Sequence, residues 1–330
     1  PSRPTHPDRG MSADLVAAAA EPPADRPGRS DRPDVVVEPA GTGETDPRDG
    51  RERIGRPTDP TWRRALRTPA FVAGVVITAS IVVAAVFAPL LATHDPAAQD
   101  LLNGLQGPSA AHWLGTDQLG RDLYSRLLYG ARTDLRIAGL AVIVPFVTGV
   151  LLGTVAGYVG GRFDWVVARV VDTVVAFPFY VIVVAVVFAV GAGEKGIYVA
   201  LALVGWVTYA RVLRNTTAVC RSSPWVVAAR GGGLSHGRVV VRHILPNPLT
   251  QAVVLLMNDV VFVIVAVVTL SYLGLGVQPP TPDWGTMITD GKAFISTQWW
   301  LSVAPGALVV YTGIGLSLLG DGIADVWRAE

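Results

Sequence analysis

A chain of 330 residues in which 51% are apolar and only 16% charged, with a mean hydropathy of +0.43, is too apolar to be an ordinary soluble domain. Its net charge of +1 supplies no clustered basic excess for a phosphate backbone, so no nucleic acid is expected as a partner. The single cysteine, Cys220, excludes an internal disulfide and a thiolate metal site, and it reads as a bystander thiol.

Charge is unevenly spread along the chain. Residues 1–68 hold twelve of the 27 basic and twelve of the 26 acidic residues, which leaves the rest nearly bare. Residues 1–60, rich in Pro, Gly, Arg and Asp, cannot bury enough apolar surface to offset their ordering entropy and read as a disordered arm. Residues 61–330 read as an all-α membrane domain. Its first span is the uncharged run of residues 69–92, enough to cross about 30 Å of hydrocarbon at about 1.5 Å per residue. That run lies too far from the N-terminus, and is too long, to be a cleaved signal peptide.

Five more spans are expected over residues 135–159, 165–190, 197–213, 249–275 and 301–320. Basic residues are retained in cytoplasmic loops. Arg211, Arg214, Arg221, Arg230, Arg238 and Arg242 follow one another without an acidic residue, and six Arg from Arg51 to Arg67 precede the first span. Both segments are therefore expected inside. With an even number of spans, the N- and C-termini both face the cytoplasm, and residues 93–132 and 276–300 face out.

In the second span, Gly149, Gly153 and Gly157 form a stripe at four-residue spacing that lets a second helix approach closely. Pro145, Pro178 and Pro305 are candidate kinks. Arg169 and Asp172 stand three apart and can pair on one helix face, a structural role. Asp259 lies well inside the fifth span, where an ionised carboxylate costs at least a few kcal/mol (~3) unless it faces protein or water. It either lines a translocation pathway or pairs silently within the bundle.

Between spans four and five, residues 221–247 are basic and broken by glycine. Ser223 can cap a helix with Pro224 at its first position, stopped by Gly231, Gly232 and Gly233. Ser235 can cap a second helix, which Pro246 is expected to end. Ala228 and Ala229 leave room for close seating against another surface. A DNA-binding helix-turn-helix is disfavoured, because both ends are tethered to the bilayer within a few residues.

No G-x-x-x-x-G-K-[ST] loop occurs, so ATP is not expected to bind this chain in the usual way. The G-x-G-x-x-G match at Gly191, Gly193 and Gly196 joins two spans and reads as a turn. The five His are scattered, without metalloprotease spacing, and no metal site is expected.

The stretch AARGGGLSHGRVVVRHILPN resembles the coupling loop, or EAA loop, of ABC importer permeases. WLGTDQLGRDLYSRLLYGAR, GRFDWVVARVVDTVVAFP, SYLGLGVQPPTPDWGTM and LLGDGIADVW follow the C-type permease pattern of dipeptide and oligopeptide importers in order, from about Trp62 to Trp327. The resemblance implies a type I ABC importer permease fold of six transmembrane helices in a bacterial inner membrane. It also implies that Ala228, Ala229, Arg230, Gly233, His243, Leu245, Pro246 and Asn247 couple the chain to ATPase subunits. Val227 replaces the acidic residue usual before the two alanines. The implied partners are a second homologous permease, two ATPase subunits that hold ATP and Mg, and an extracytoplasmic binding protein that delivers peptide. A nickel importer of the same family is the alternative cargo, and a self-sufficient secondary transporter or channel the alternative class.

Overall fold

Pro69 opens the first helix of the computed structural model, which describes residues 68–328, so the arm expected over residues 1–60 lies outside the described residues. Proline is tolerated there because the N–H it lacks has no partner in a first turn. Helix α1 (Pro69–Val86) breaks at Phe87, and the short α2 (Ala88–Leu91) completes the apolar run. Among the described residues there are no named strands, only an isolated bridge between Thr116 and Asp122. The all-α expectation holds.

The second span departs from its expected start. Asp122 accepts the Ser125 amide at 2.8 Å and caps α3 (Leu123–Ala141), which runs on through α4 (Ile143–Val159). The 37 residues of Leu123–Val159 amount to about 55 Å of helix against about 30 Å of hydrocarbon. Its first turns therefore project past the bilayer, and part of the external loop expected over residues 93–132 is helix.

Gly160, at φ +71°, turns the chain sharply into α5 (Gly161–Val175). The third span is a broken one: α5 and α6 (Phe179–Val190) meet at 89°. Pro178 supplies the local reason, since it disfavours helix at Phe177 and offers no N–H to the preceding turn. Next come α7 (Glu194–Val204) and α8 (Trp206–Arg221), which together make a 28-residue span.

Two short helices follow, α9 (Pro224–Gly231) and α10 (His236–Val239). Pro246 does not end the second of them. A π-turn over Val240–Ile244, with the Leu245 amide donating to the Val240 carbonyl at 2.8 Å, carries the helical path into α11 (Pro246–Tyr272). The wider turn accommodates the donor that proline lacks. Helix α12 (Trp284–Gly291) lies in the last loop, and α13 (Trp300–Arg328) keeps Pro305 inside it.

The main core gathers Leu127, Ile137, Val187, Leu201, Ile264 and Trp284 from four helices and the last loop. The glycine stripe does what its spacing suggests. A Cβ at Gly149 would lie 2.5 Å from the Trp206 carbonyl oxygen, one at Gly153 2.6 Å from that of Ala210, and one at Gly157 2.3 Å from that of Arg214. Helices α4 and α8 thus touch backbone to backbone. Large apolar side chains such as Phe188 and Leu90, each 80% exposed, stand on the outside, as lipid or a partner helix requires.

Candidate coupling face and translocation cavity

The segment from Ser223 to Asn247 folds into a small unit with a dry underside. Val226, Val239, Ile244 and Cys220 are buried together, and Ala229, Leu234 and Tyr158 pack against them. Gly233 adopts φ +85° while the Leu234 amide donates to the Ala229 carbonyl at 3.3 Å, the pairing of a left-handed helix C-cap. Helix α9 is therefore closed by Gly233, with Gly231 as its last turn. The Tyr158 hydroxyl at the end of α4 lies 2.7 Å from His236 Nδ1, which ties α10 to the bundle.

The other side of the unit is open. Trp225, Val227 and Val241 are 42%, 59% and 65% exposed, and Ala228, Arg230 and Arg242 are exposed with them. No atom stands within 4 Å of a Cβ built on Gly231, Gly233 or Gly237. The structure thus separates the residues that sequence reasoning grouped. Ala228, Arg230 and Gly233 lie on the open face. Ala229 packs inward, and Leu245 packs on the cluster of Val150, Leu213 and Ala252. His243 is half-buried with its Nδ1 unpartnered, Pro246 starts α11, and Asn247 donates to the Cys220 sulfur at 3.6 Å.

Asp259 and Thr208 border a cavity of about 340 Å³ whose remaining wall is apolar, with Phe177, Phe179, Val204, Phe262 and Pro145 in it. The bend at Pro178 places Phe177 and Phe179 in its wall. Asp259 also has a partner, because the Tyr209 hydroxyl donates to its Oδ2 at 2.8 Å. The two readings of this residue are therefore compatible: one carboxylate oxygen is held while the side chain borders open space. Arg169 and Asp172 approach to 3.8 Å with both side chains more than half exposed, an ion pair of little energetic weight. The stronger pair in that region is Arg214 with Asp164, a two-pronged contact that fastens α8 to α5 and includes Nη2 to Oδ2 at 2.8 Å.

At the opposite end of the bundle lies a polar ledge. Arg121 Nε meets Asp117 Oδ2 at 2.6 Å and its Nη2 meets Asp290 at 3.2 Å, joining residues before α3 to the end of α12. The Trp284 amide donates to Asp134 at 3.1 Å and its indole to the Leu127 carbonyl at 3.1 Å. Asp283 caps α12 through the Gly285 and Thr286 amides. Burial pushes its carboxyl above the ordinary carboxylate range, partly offset by the hydrogen bonds from Thr286, Ser271 and Gly285. Asp122 receives an imidazole, His112 Nδ1, at 2.9 Å. Burial would raise the Asp122 carboxyl, yet the Ser125 hydrogen bonds, His112 and the charge of His94 together hold it below its ordinary value.

Sequence reasoning missed Tyr209, Asp164 and the ledge network, whose partners are 50, 50 and up to 169 residues apart. The one available signal was Asp259 itself, an acid in an apolar span that needs a donor.

Residues 149–327 match the family described as binding-protein-dependent transport system inner membrane component, and residues 57–108 match the N-terminal TM domain of oligopeptide transport permease C. The chain is 35% identical to the dipeptide transport system permease protein of Alkalihalophilus pseudofirmus, over 80% of this chain and 88% of that protein. It is 38% identical to the probable D,D-dipeptide transport system permease protein of Escherichia coli, over 78% and 87%. The oligopeptide transport system permease protein of Bacillus subtilis is 31% identical over 89% of this chain and 96% of its own length.

Proposed function

The chain belongs to the family of binding-protein-dependent transport system inner membrane components, and from that premise we propose that it passes dipeptides or oligopeptides through the membrane for an ATP-driven importer. It is a permease subunit of an ABC transporter, not itself an enzyme. The cargo reading rests on relatives whose names specify dipeptide, D,D-dipeptide and oligopeptide transport.

The observation that carries the mechanism is the unit of α9 and α10, buried on one side and open on the other. Such a unit can be pushed as a body. Two ATPase subunits, which hold ATP and Mg, press on Ala228, Val227 and Arg230, while Ala229, Leu245 and Asn247 transmit the motion from within. His236 pulls on Tyr158 and so on α4, and the π-turn hands motion directly to α11. Rocking of these helices opens the cavity beside Asp259 first to one side and then to the other. The carboxylate is placed to receive a peptide amino group, a positive charge that the rest of a predominantly apolar wall would reject.

A second homologous permease completes the pathway, and an extracytoplasmic binding protein delivers cargo to the ledge. The Arg-rich segment around α9 faces the cytoplasm, as do both termini, in a bacterial inner membrane. The test is reconstitution of the full chain with its permease and ATPase partners in vesicles, with binding protein outside. ATP-dependent uptake of a labelled dipeptide or oligopeptide is expected. Uptake of Ni2+ instead, or uptake by this chain alone without ATP, refutes the reading in favour of a metal importer or of a self-sufficient transporter.

A further inference from the structure

We propose that His94, His112 and Asp122 form a binding site for a borderline divalent transition-metal ion, of which Zn2+ is the representative, on the ledge at the outer end of the first span. The nitrogen and oxygen donors of the three residues all lie within 4.8 Å of one another. His112 Nδ1 and His94 Nδ1 stand 2.9 and 3.7 Å from the same carboxylate oxygen, Asp122 Oδ1. Donors about 2.0–2.1 Å from a tetrahedral ion are about 3.3–3.4 Å apart, a value that these two distances bracket. Shifts of a few tenths of an ångström (~0.4 Å) bring both edges to it.

The surroundings are built to hold that arrangement. Asp122 is 2% exposed, and its second oxygen is already engaged by the Ser125 amide at 2.8 Å and the Thr93 hydroxyl at 3.4 Å, which turns Oδ1 toward the imidazoles. The His94 amide donates to the Ser125 hydroxyl at 3.1 Å, so the same residue orients two of the three ligands. His112 is pinned by its own turn, whose ends exchange the Ser109 hydroxyl and His112 amide at 3.0 Å and the Ser109 amide and His112 carbonyl at 2.8 Å. Partners of this kind fix ligand orientation in metal sites. The two rings lie with centroids 4.6 Å apart and a tilt of 31°, and the Thr93 hydroxyl, 3.0 Å from His94 Nδ1, is the contact that a bound ion would displace.

Charge and access agree with a cation. The Arg126 guanidinium, four residues after Asp122 in the chain, is engaged by Asp117 at 3.5 Å and by the Pro96 carbonyl at 3.3 Å. Beside His94 an open groove lined by Thr93, Asp95, Pro96 and Tyr129 provides an entry path and room for water at a fourth position. Two imidazoles with one carboxylate suit Zn2+ and its neighbours, and do not suit Mg2+ or Ca2+, which prefer oxygen. The ion would clip the end of the first span to the cap of α3.

The experiment uses the full chain in detergent, purified through a tag without histidine, stripped with chelator and titrated with Zn2+ alone. About one equivalent of tight Zn2+ per chain is expected, with a raised melting temperature that Mg2+ does not reproduce. Co2+ should give the visible absorption of a four-coordinate ion. His94→Gln and His112→Gln leave the buried Asp122 cap in place, and each should weaken Zn2+ at least about 100-fold, since loss of mere outer-shell partners costs about 10–100-fold. Equal Zn2+ binding by the wild type and the double His variant, or no Zn2+ binding by a wild type that unfolds cooperatively, overturns the proposal. Peptide uptake is not the readout, so this test stands apart from that of the transport reading.

Discussion

Replacing Gly153 by Ala should loosen the permease at its centre, while the same change at Gly139 should not. A Cβ on Gly153 would stand 2.6 Å from the Ala210 carbonyl oxygen and 2.9 Å from both the Ala210 Cα and the Leu213 Cβ, and two of those three atoms are backbone. No rotamer change relieves such a contact, so α4 and α8 must separate by roughly 0.5–1 Å, and overpacking of this kind costs about 1–3 kcal/mol. The methyl gained in helix propensity returns at most about 1 kcal/mol. At Gly139, also within a helix, a Cβ meets nothing within 4 Å, so there the propensity gain stands alone. The two substitutions are chemically identical and are expected to differ by about 1–3 kcal/mol, the contact cost alone, since the propensity gain is common to both. The assay is equilibrium unfolding of the full chain in mixed detergent micelles, paired with ATP-driven uptake by the assembled complex. Gly153→Ala should lower both the unfolding midpoint and uptake, and Gly139→Ala neither. Equal midpoints for the two variants would refute the claim that backbone contact between α4 and α8 holds the domain together.

Three further outcomes follow from the geometry. Ala228→Glu, on the open face of α9, should leave the unfolding midpoint unchanged but lower ATPase copurification about tenfold or more, at about 1.4 kcal/mol per decade; Ala229→Glu, which intrudes on Val226, Val239 and Ile244, should lower both, and indistinguishable variants would contradict the two-sided unit. Tyr209→Phe removes the donor to Asp259 and should destabilise by about 1–3 kcal/mol, less so in an Asp259→Asn background, and a strictly additive double-mutant cycle would deny the bond. Asp283 binds its proton more readily folded than unfolded, so the stability it contributes is fully present below the ordinary unfolded carboxylate range and is lost as pH rises from there through the raised folded value. Asp283→Asn, which keeps an acceptor for the Gly285 and Thr286 amides, should therefore gain on the wild type between mildly acid and neutral pH, and parallel pH profiles would count against it.

What could be read from the sequence is what depends on near neighbours. The stripe at Gly149, Gly153 and Gly157 is legible because helical repetition puts those positions on one face, and Asp259 because a carboxylate in an apolar run must be answered by something. Local signals failed where two readings compete and only tertiary contact decides. Pro246 reads as a helix terminator, yet it stands at the first position of α11, because a π-turn supplies a path that one proline does not rule out. Residues 123–132 read as loop, since Arg and Tyr dilute the apolar run, but Arg126 there and Asp134 just beyond are buried and the segment is helix. His94 and His112 share no spacing that marks a site. They meet because the end of the first span and the cap of α3 are brought to the same corner.

The Tyr209–Asp259 bond acquires its meaning from what holds its two ends. Asp259 is on α11, which continues from α10 through the π-turn, so the coupling unit moves it along the chain itself. Tyr209 is on α8, whose backbone is pressed against Gly149, Gly153 and Gly157 of α4 and whose C-terminal end leads through Ser222 and Ser223 into α9. Both routes run along the chain, but α8 is also pressed against α4, and α4 is tied to α10 by the Tyr158–His236 hydrogen bond. A push on α9 and α10 therefore moves α11 against an α8 that is braced on α4, and the difference appears where the two helices meet. That place is the cavity wall, at the one hydrogen bond that sets the position of its carboxylate.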